Sequence, residues 1–217
     1  MAERTSPSLG GLVLVPGLIT LGVTVLRLVG ELQHWSNLLF NPSAGGGGAI
    51  VGIVWLAPVF GIYFALKLAG AGERPAGLGK ATAFTFLGLV LMVGAGALFA
   101  FSKFASVAML IGGSILFLAA FLVPLYGWPQ FTKALIAYGY LARVPVVVVM
   151  YFAMRGNWGT HYDGAPPGMP EMGFWAKYLV LGLIPQLLLW VAFTVIIGSL
   201  LGIAVVAITR RGAPAAA

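Results

Sequence analysis

Long uncharged apolar runs alternate along this chain with short segments that hold most of its charged residues. The main runs have lengths close to the ~20 residues that an α-helix needs to cross the hydrocarbon core of a bilayer. The pattern predicts an all-α fold: a polytopic integral membrane bundle of about six transmembrane helices, in one membrane domain over residues 1–217. The predicted spans are 9–32, 49–67, 81–102, 104–127, 134–154 and 186–208.

The last apolar region, residues 174–209, is too long for a single perpendicular span. At 1.5 Å rise per residue it forms about 54 Å of helix, against a hydrocarbon core of about 30 Å. Two interpretations remain open. Either Pro185 separates an interfacial helix over 174–184 from a span over 186–208, or the region is one tilted, kinked helix.

Basic residues near the ends of the spans predict the orientation, because cytoplasmic loops carry an excess of lysine and arginine. With the N-terminus inside, the outer side holds only Lys103, Arg155 and Lys177. The cytoplasmic side holds Arg4, Lys67, Arg74, Lys80, Lys133, Arg210 and Arg211. The sequence therefore predicts an N-in/C-in topology.

Composition supports a membrane protein and excludes several other classes. Hydrophobic residues make up 60% of the chain and charged residues only 8%, with a mean hydropathy of +1.02. A water-soluble domain carries about 25% charged residues. The net charge of +7 comes from singly scattered basic residues, which favours contact with lipid headgroups over binding of nucleic acid. We expect a multi-pass protein of a plasma (inner) membrane, of prokaryotic origin.

The first span carries an ordered polar stripe in apolar surroundings. Thr20, Thr24, Arg27, Glu31 and His34 are separated by four, three, four and three residues, which places them on one helical face. Arg27 and Glu31 are spaced to form an ion pair. The stripe either docks the helix as a self-neutralised pair near the outer interface, or faces a wet interior as part of a functional site.

Arg143 lies near the middle of the fifth predicted span, where a charge costs about 2.5–3.5 kcal/mol on insertion scales. No carboxylate of the chain is predicted at the same depth. Four kinds of partner remain open: carbonyls freed by Pro145, a hydroxyl such as that of Tyr140, a bound anion, or an acid of another subunit. The acidic residues of the chain are Glu3, Glu31, Glu73, Asp163 and Glu171.

Both histidines, His34 and His161, fall on the predicted outer side together with Glu31 and Asp163. These residue types suit zinc or iron, but they show no recognised ligand spacing. The sequence therefore predicts no metal site, with these four residues as the alternative ligand set. It identifies no catalytic residue and no cofactor.

Residues of two further kinds indicate packing inside the bundle. Gln186, Trp190 and Thr194 recur at four-residue steps and are expected to face the same interior as the polar stripe of the first span. Gly198 and Gly202, and more weakly Ala57 and Gly61, have the spacing of close helix–helix contacts. The run 45–48 of four glycines is either a hinge or a place of close backbone packing.

Three classes of function remain. The favoured one is a non-enzymatic subunit or accessory component of a larger membrane assembly, with membrane lipids, partner subunits or further copies of itself as partners. The alternatives are a small transporter or channel for an anion or solute, and an enzyme acting on a lipid or quinone at the outer leaflet. No phosphate-binding loop, nucleophile elbow or dinucleotide motif is present.

Overall fold

The computed structural model describes residues 7–211, and the side chains of residues 7–209. Within this range the chain is helical and contains no strand, so the predicted all-α membrane bundle is confirmed. The orientation signals at Arg4 and at the side chains of Arg210 and Arg211, and the acid Glu3, lie outside the described residues. The helices are α1 (Leu9–Leu32), α2 (Leu56–Gly70), α3 (Leu78–Ser102), α4 (Val107–Leu122), α5 (Pro129–Gly156) and α6, which begins at Phe174 and ends with the regular stretch Trp190–Arg211.

Five helical stretches of the described chain are long and apolar enough to cross a membrane. They are Leu9–Leu32, Leu78–Ser102, Val107–Tyr126, Pro129–Gly156 and Phe174–Thr209. Their outer faces carry large exposed side chains such as Leu18, Val90 and Ile115, each more than half exposed. Apolar surface on this scale needs lipid rather than water as its solvent, and the chain is a multi-pass membrane protein.

The second helix differs from the predicted span over 49–67. It covers Leu56–Gly70, only 15 residues, or about 22 Å at 1.5 Å per residue. Residues 49–55 form turns and bends instead. Non-helical backbone at membrane depth is tolerated where it is enclosed by protein or lines a wet cavity, and residues 52–55 do line a cavity between the helices.

Helix α6 is not broken at Pro185. A first α-helical turn (Phe174–Lys177) leads into two π-helical segments, Tyr178–Leu183 and Pro185–Leu189, before the regular helix from Trp190. Proline cannot donate the backbone hydrogen bond of a regular turn, and wider π turns accommodate the missing donor. Of the two interpretations of 174–209, the structure follows the continuous helix.

The glycine pattern of α6 serves packing within the chain. A Cβ atom added to Gly61 would lie 2.5 Å from the Cα of Gly198, and one added to Gly202 would lie 2.3 Å from Phe131. Helices α2 and α6 therefore approach at backbone distance. Around this contact the core is filled by large side chains that are nearly inaccessible: Phe64, Phe117, Phe131, Leu135, Tyr138, Val191 and Ile196.

The loops of the bundle gather at two ends. At one end, residues 33–55 and 157–173 meet, and a Cβ on Gly164 would lie 3.0 Å from Ala44. We term this the loop end. At the opposite end, Pro7 and Leu12 lie beside Leu68, Glu73 and Gln130. The candidate site lies between the loop end and the middle of the bundle.

Candidate functional site

A cavity of about 280 Å³ lies between α1, α5 and α6 beneath the loop end. We term it the central cavity. Its outer rim is the backbone of residues 45–48, and its deeper wall includes the non-helical residues 52–55. The polar side chains along it are Thr24, Arg27, Arg143, His161, Tyr162 and Gln186.

Four of the five residues in the predicted stripe of α1 turn inward. Thr20, Thr24, Arg27 and Glu31 are buried, while His34 is exposed just beyond the helix end. His34 has a left-handed backbone with φ of 51°, so it leaves the helical face on which the spacing placed it. The stripe is therefore one residue shorter than predicted.

Arg27 and Glu31 form the predicted pair, and His161 joins them from the loop 157–173. Nε of Arg27 donates to Oε1 of Glu31 at 2.8 Å, and Nη2 donates to the carbonyl oxygen of Gly46 at 3.0 Å. The backbone N–H of His161 donates to Oε2 of Glu31 at 2.9 Å, and Nδ1 of the same residue lies 2.6 Å from Oε1. Glu31 thus ties the loop 157–173 to α1, and Arg27 ties the loop 33–55 to the same helix.

The surroundings of His161 favour its neutral ring. Burial lowers its pKa below the ordinary value of 6.5, and the charge of Arg27 acts in the same direction, while the hydrogen bond to Glu31 opposes them. Because the Glu31 carboxylate is an acceptor, the neutral ring carries its proton on Nδ1. Nε2 then keeps its lone pair.

Arg143 is only 5% exposed and lacks an acidic partner among the described residues. Nη1 donates to Oε1 of Gln186 at 3.2 Å, and its guanidinium carbon lies 4.6 Å from the centroid of the Trp190 ring. Nε is buried without a hydrogen-bond partner in the described part of the chain. Of the partners expected from sequence, Tyr140 instead packs its ring against Phe121 of α4.

The partners of Arg143 come from the π-helical part of α6. Gln186 lies inside the second π segment and Trp190 directly follows it. Both residues line the central cavity together with Thr24 and Arg27 of the α1 stripe, whereas Thr194 is buried and donates to the Trp190 carbonyl oxygen. Rare π turns occur frequently at functional sites. Here they accompany the one segment of α6 that meets the buried arginine.

Two glycines allow the loop 33–55 to approach the polar network. A Cβ on Gly46 would lie 2.7 Å from the His161 ring and 3.0 Å from Nη2 of Arg27, and its φ is +67°. A Cβ on Gly52 would lie 3.0 Å from Nη1 of Arg27. Of the two interpretations of the glycine run, close packing therefore holds at Gly46.

The four candidate metal ligands are not brought together. Glu31 and His161 are in contact, but His34 is exposed, and Asp163 accepts from the backbone N–H groups of Gly159 and Thr160 and so closes a loop turn. No group of three or more histidine, aspartate or glutamate side chains with metal-binding geometry occurs among the described residues.

Tyr138 is a member of the site that sequence reasoning missed. Thr20 donates its hydroxyl proton to the Pro16 carbonyl at 2.8 Å, so the Tyr138 hydroxyl, 2.9 Å away, donates to Thr20. This contact joins α1 to α5 below the cavity. Only the long-range approach of the two helices distinguishes Tyr138 from Tyr140, and local spacing carries no signal for it.

No protein-family model, no curated protein and no solved structure matches this chain. The geometry of the central cavity is therefore the basis for a functional assignment.

Proposed function

We propose that this protein is a non-enzymatic, multi-pass accessory component of a prokaryotic inner membrane that binds an anionic ligand in its central cavity. The ligand presents a phosphate or carboxylate to Arg143. With the N-in/C-in orientation that the basic residues favour, the cavity opens on the outer side of the membrane. Membrane lipids are the source of ligand that its location suggests.

The observation that carries this proposal is the charge balance of the cavity wall. Arg27 and Arg143 both line it, but Glu31 is the single carboxylate in contact with either arginine among the described residues, and it is bound to Arg27 and His161. A buried cation without a counter-charge is costly. An anion at Arg143 would supply that charge and accept from the unpartnered Nε.

The floor of the cavity favours a binding site over an open channel. Below Arg143 the bundle is filled by Tyr138, Leu135 and Phe131 of α5 and by Phe64 of α2, all nearly inaccessible. The Tyr138 ring packs edge-on against Phe64 at 5.6 Å. An ion that enters from the loop end therefore meets a closed aromatic core.

Substitution of Arg143 by glutamine tests the proposal. We expect the purified protein in phosphatidylcholine nanodiscs to bind at least one of two phosphate monoesters, butyl phosphate or dodecyl phosphate, more tightly than the matching alcohol. Arg143→Gln should weaken that binding about 30-fold or more, because truncating one member of a buried charge pair costs ~2–5 kcal/mol. Native mass spectrometry and isothermal titration measure both quantities.

Arg155→Gln is the matched control. Arg155 also stacks on an aromatic ring, with its guanidinium carbon 4.5 Å from the Phe174 centroid, but it is exposed and outside the cavity. Its removal should change the affinity less than twofold. Equal binding by the wild type and Arg143→Gln, or no preference for phosphate over alcohol, would rule the proposal out.

A further inference from the structure

A second, apolar chamber adjoins the central cavity. Its volume is about 340 Å³. The two spaces share wall residues, among them His161, Tyr162, Gln186 and Trp190. Beyond that shared wall the apolar chamber is lined by hydrocarbon and aromatic side chains, including Phe99, Phe104, Val180, Leu181 and Leu189.

Charged and apolar surfaces therefore lie in two adjoining spaces that share lining residues. The cationic end holds Arg143, the shared wall holds the Gln186 amide, and the far end has no charged side chain along it. A small hydrated anion matches only the central cavity. A molecule with an acidic head and a hydrocarbon chain matches both spaces, because ligand sites combine an apolar lining with a few placed polar groups.

The apolar chamber also reaches the lipid-facing side of the bundle. Ala100, on the last turn of α3, lines the chamber and is exposed, and its neighbour Phe101 is 75% exposed. The chamber lies between this turn and the π-helical part of α6. A membrane lipid could enter sideways here without its chain passing through water.

Building on the function proposed above, we propose that the bound ligand is a membrane lipid with an acidic headgroup. Its phosphate or carboxylate lies at Arg143 in the central cavity, and one hydrocarbon chain occupies the apolar chamber between α3 and α6. Zwitterionic lipids bring no net negative charge to Arg143, because their own ammonium group balances the phosphate. Uncharged lipids bring no charge at all, and soluble anions leave the chamber unfilled.

A bulky residue at the wall of the apolar chamber tests the contribution of the ligand's hydrocarbon chain independently of its phosphate. Ala100→Trp should fill the apolar chamber and weaken binding of dodecyl phosphate at least tenfold, while binding of butyl phosphate changes less than twofold. Ala97→Trp is the matched control, because Ala97 is exposed on the same helix but does not line the chamber. Arg143→Gln should weaken the binding of both phosphate monoesters. The part of the binding that this substitution removes is counted as specific binding.

The outcomes keep the two proposals apart. One outcome is that Ala100→Trp and Ala97→Trp bind dodecyl phosphate with equal affinity while Arg143→Gln loses that binding. In that case the hydrocarbon chain of the ligand does not occupy the apolar chamber, and only the anion site of the first proposal remains. If butyl phosphate binds the wild type as tightly as dodecyl phosphate at equal free concentration, the ligand is a soluble anion. Loss of phosphate selectivity altogether overturns the underlying function instead.

A measurement on the unaltered chain removes any dependence on how Ala100→Trp folds. Dodecyl phosphate with a photoreactive diazirine at its chain end is bound in nanodiscs, irradiated, and located by peptide mass spectrometry. Labels on residues 99–104 and 180–189 that disappear in Arg143→Gln support the inference. Labels spread over the outer faces of α1 and α4, unchanged in Arg143→Gln, contradict it.

Discussion

At the scale of single residues, the two buried arginines of the cavity differ in the partners that stabilise their charge. Arg27 has a carboxylate at 2.8 Å and a loop carbonyl at 3.0 Å. Arg143 has an amide oxygen, an aromatic face and an unsatisfied Nε. Removing the partner of a buried charge costs far more stability than removing the partner of an exposed charge. A substitution at the Arg27 pair should therefore affect stability, whereas one at Arg143 should affect ligand binding.

Glu31→Gln should therefore destabilise the protein strongly. It leaves Arg27 buried without a counter-charge and weakens the link to His161, at an expected cost of about 3 kcal/mol in the free energy of unfolding. The change is measured as a lowered Tm in detergent. Glu171→Gln, at an exposed loop position, is the control and should leave Tm within a degree or two. An unchanged Tm for Glu31→Gln would show that the network is not a structural link.

At the scale of elements, the loop 33–55 is part of the bundle rather than a connection above it. Its glycine backbone contacts Arg27 and His161, and its last residues occupy space in which a longer α2 would lie. A side chain at Gly46 has no room, whereas one at Gly47 has nothing within 4 Å and an ordinary φ of −67°. Substitutions at these two neighbouring positions therefore distinguish close packing of the glycine run from backbone flexibility.

Gly46→Ala should lower Tm and weaken phosphate binding, whereas Gly47→Ala should change neither. The left-handed backbone at Gly46 costs alanine about 1–2 kcal/mol, and the new methyl group displaces His161 or the Arg27 guanidinium. Thermal unfolding and the phosphate titration, run on both variants, test this. Equal effects of the two substitutions would mean that the glycine run acts through flexibility alone.

At the scale of the whole molecule, we expect the loop end and the opposite end of the bundle to lie on opposite sides of a membrane. The chain contains no cysteine, so a single introduced thiol reports its own side without interference. The exposed residues Glu171, in the loop 157–173, and Arg74, at the opposite end, are suitable positions.

In intact cells, a membrane-impermeant maleimide should label Glu171→Cys but reach Arg74→Cys only after permeabilisation. This result follows from the excess of basic residues at the end that holds Arg74. The reverse labelling pattern would place the central cavity on the cytoplasmic side. Labelling of both positions in intact cells would contradict a fixed orientation.

The sequence predicts most of the architecture because hydropathy and helical spacing are local. They identified the stripe at Thr20, Thr24, Arg27 and Glu31, and the isolated position of Arg143. They failed where tertiary contacts decide. The short α2, the bond from His161 to Glu31 across 130 residues, and the choice of Tyr138 over Tyr140 depend on how the helices meet. The π turns around Pro185 likewise have no periodic signal of their own.

The closed floor of the central cavity has an electrical consequence. If water fills the cavity, it carries the potential of the loop side down to Arg143, and the membrane voltage falls mainly across the packed half of the bundle beneath it. A charge that crosses the full voltage exchanges about 2.3 kcal/mol per 100 mV. An anion that reaches Arg143 from the loop side crosses little of that field, so its occupancy should respond only weakly to whether the cell is energised.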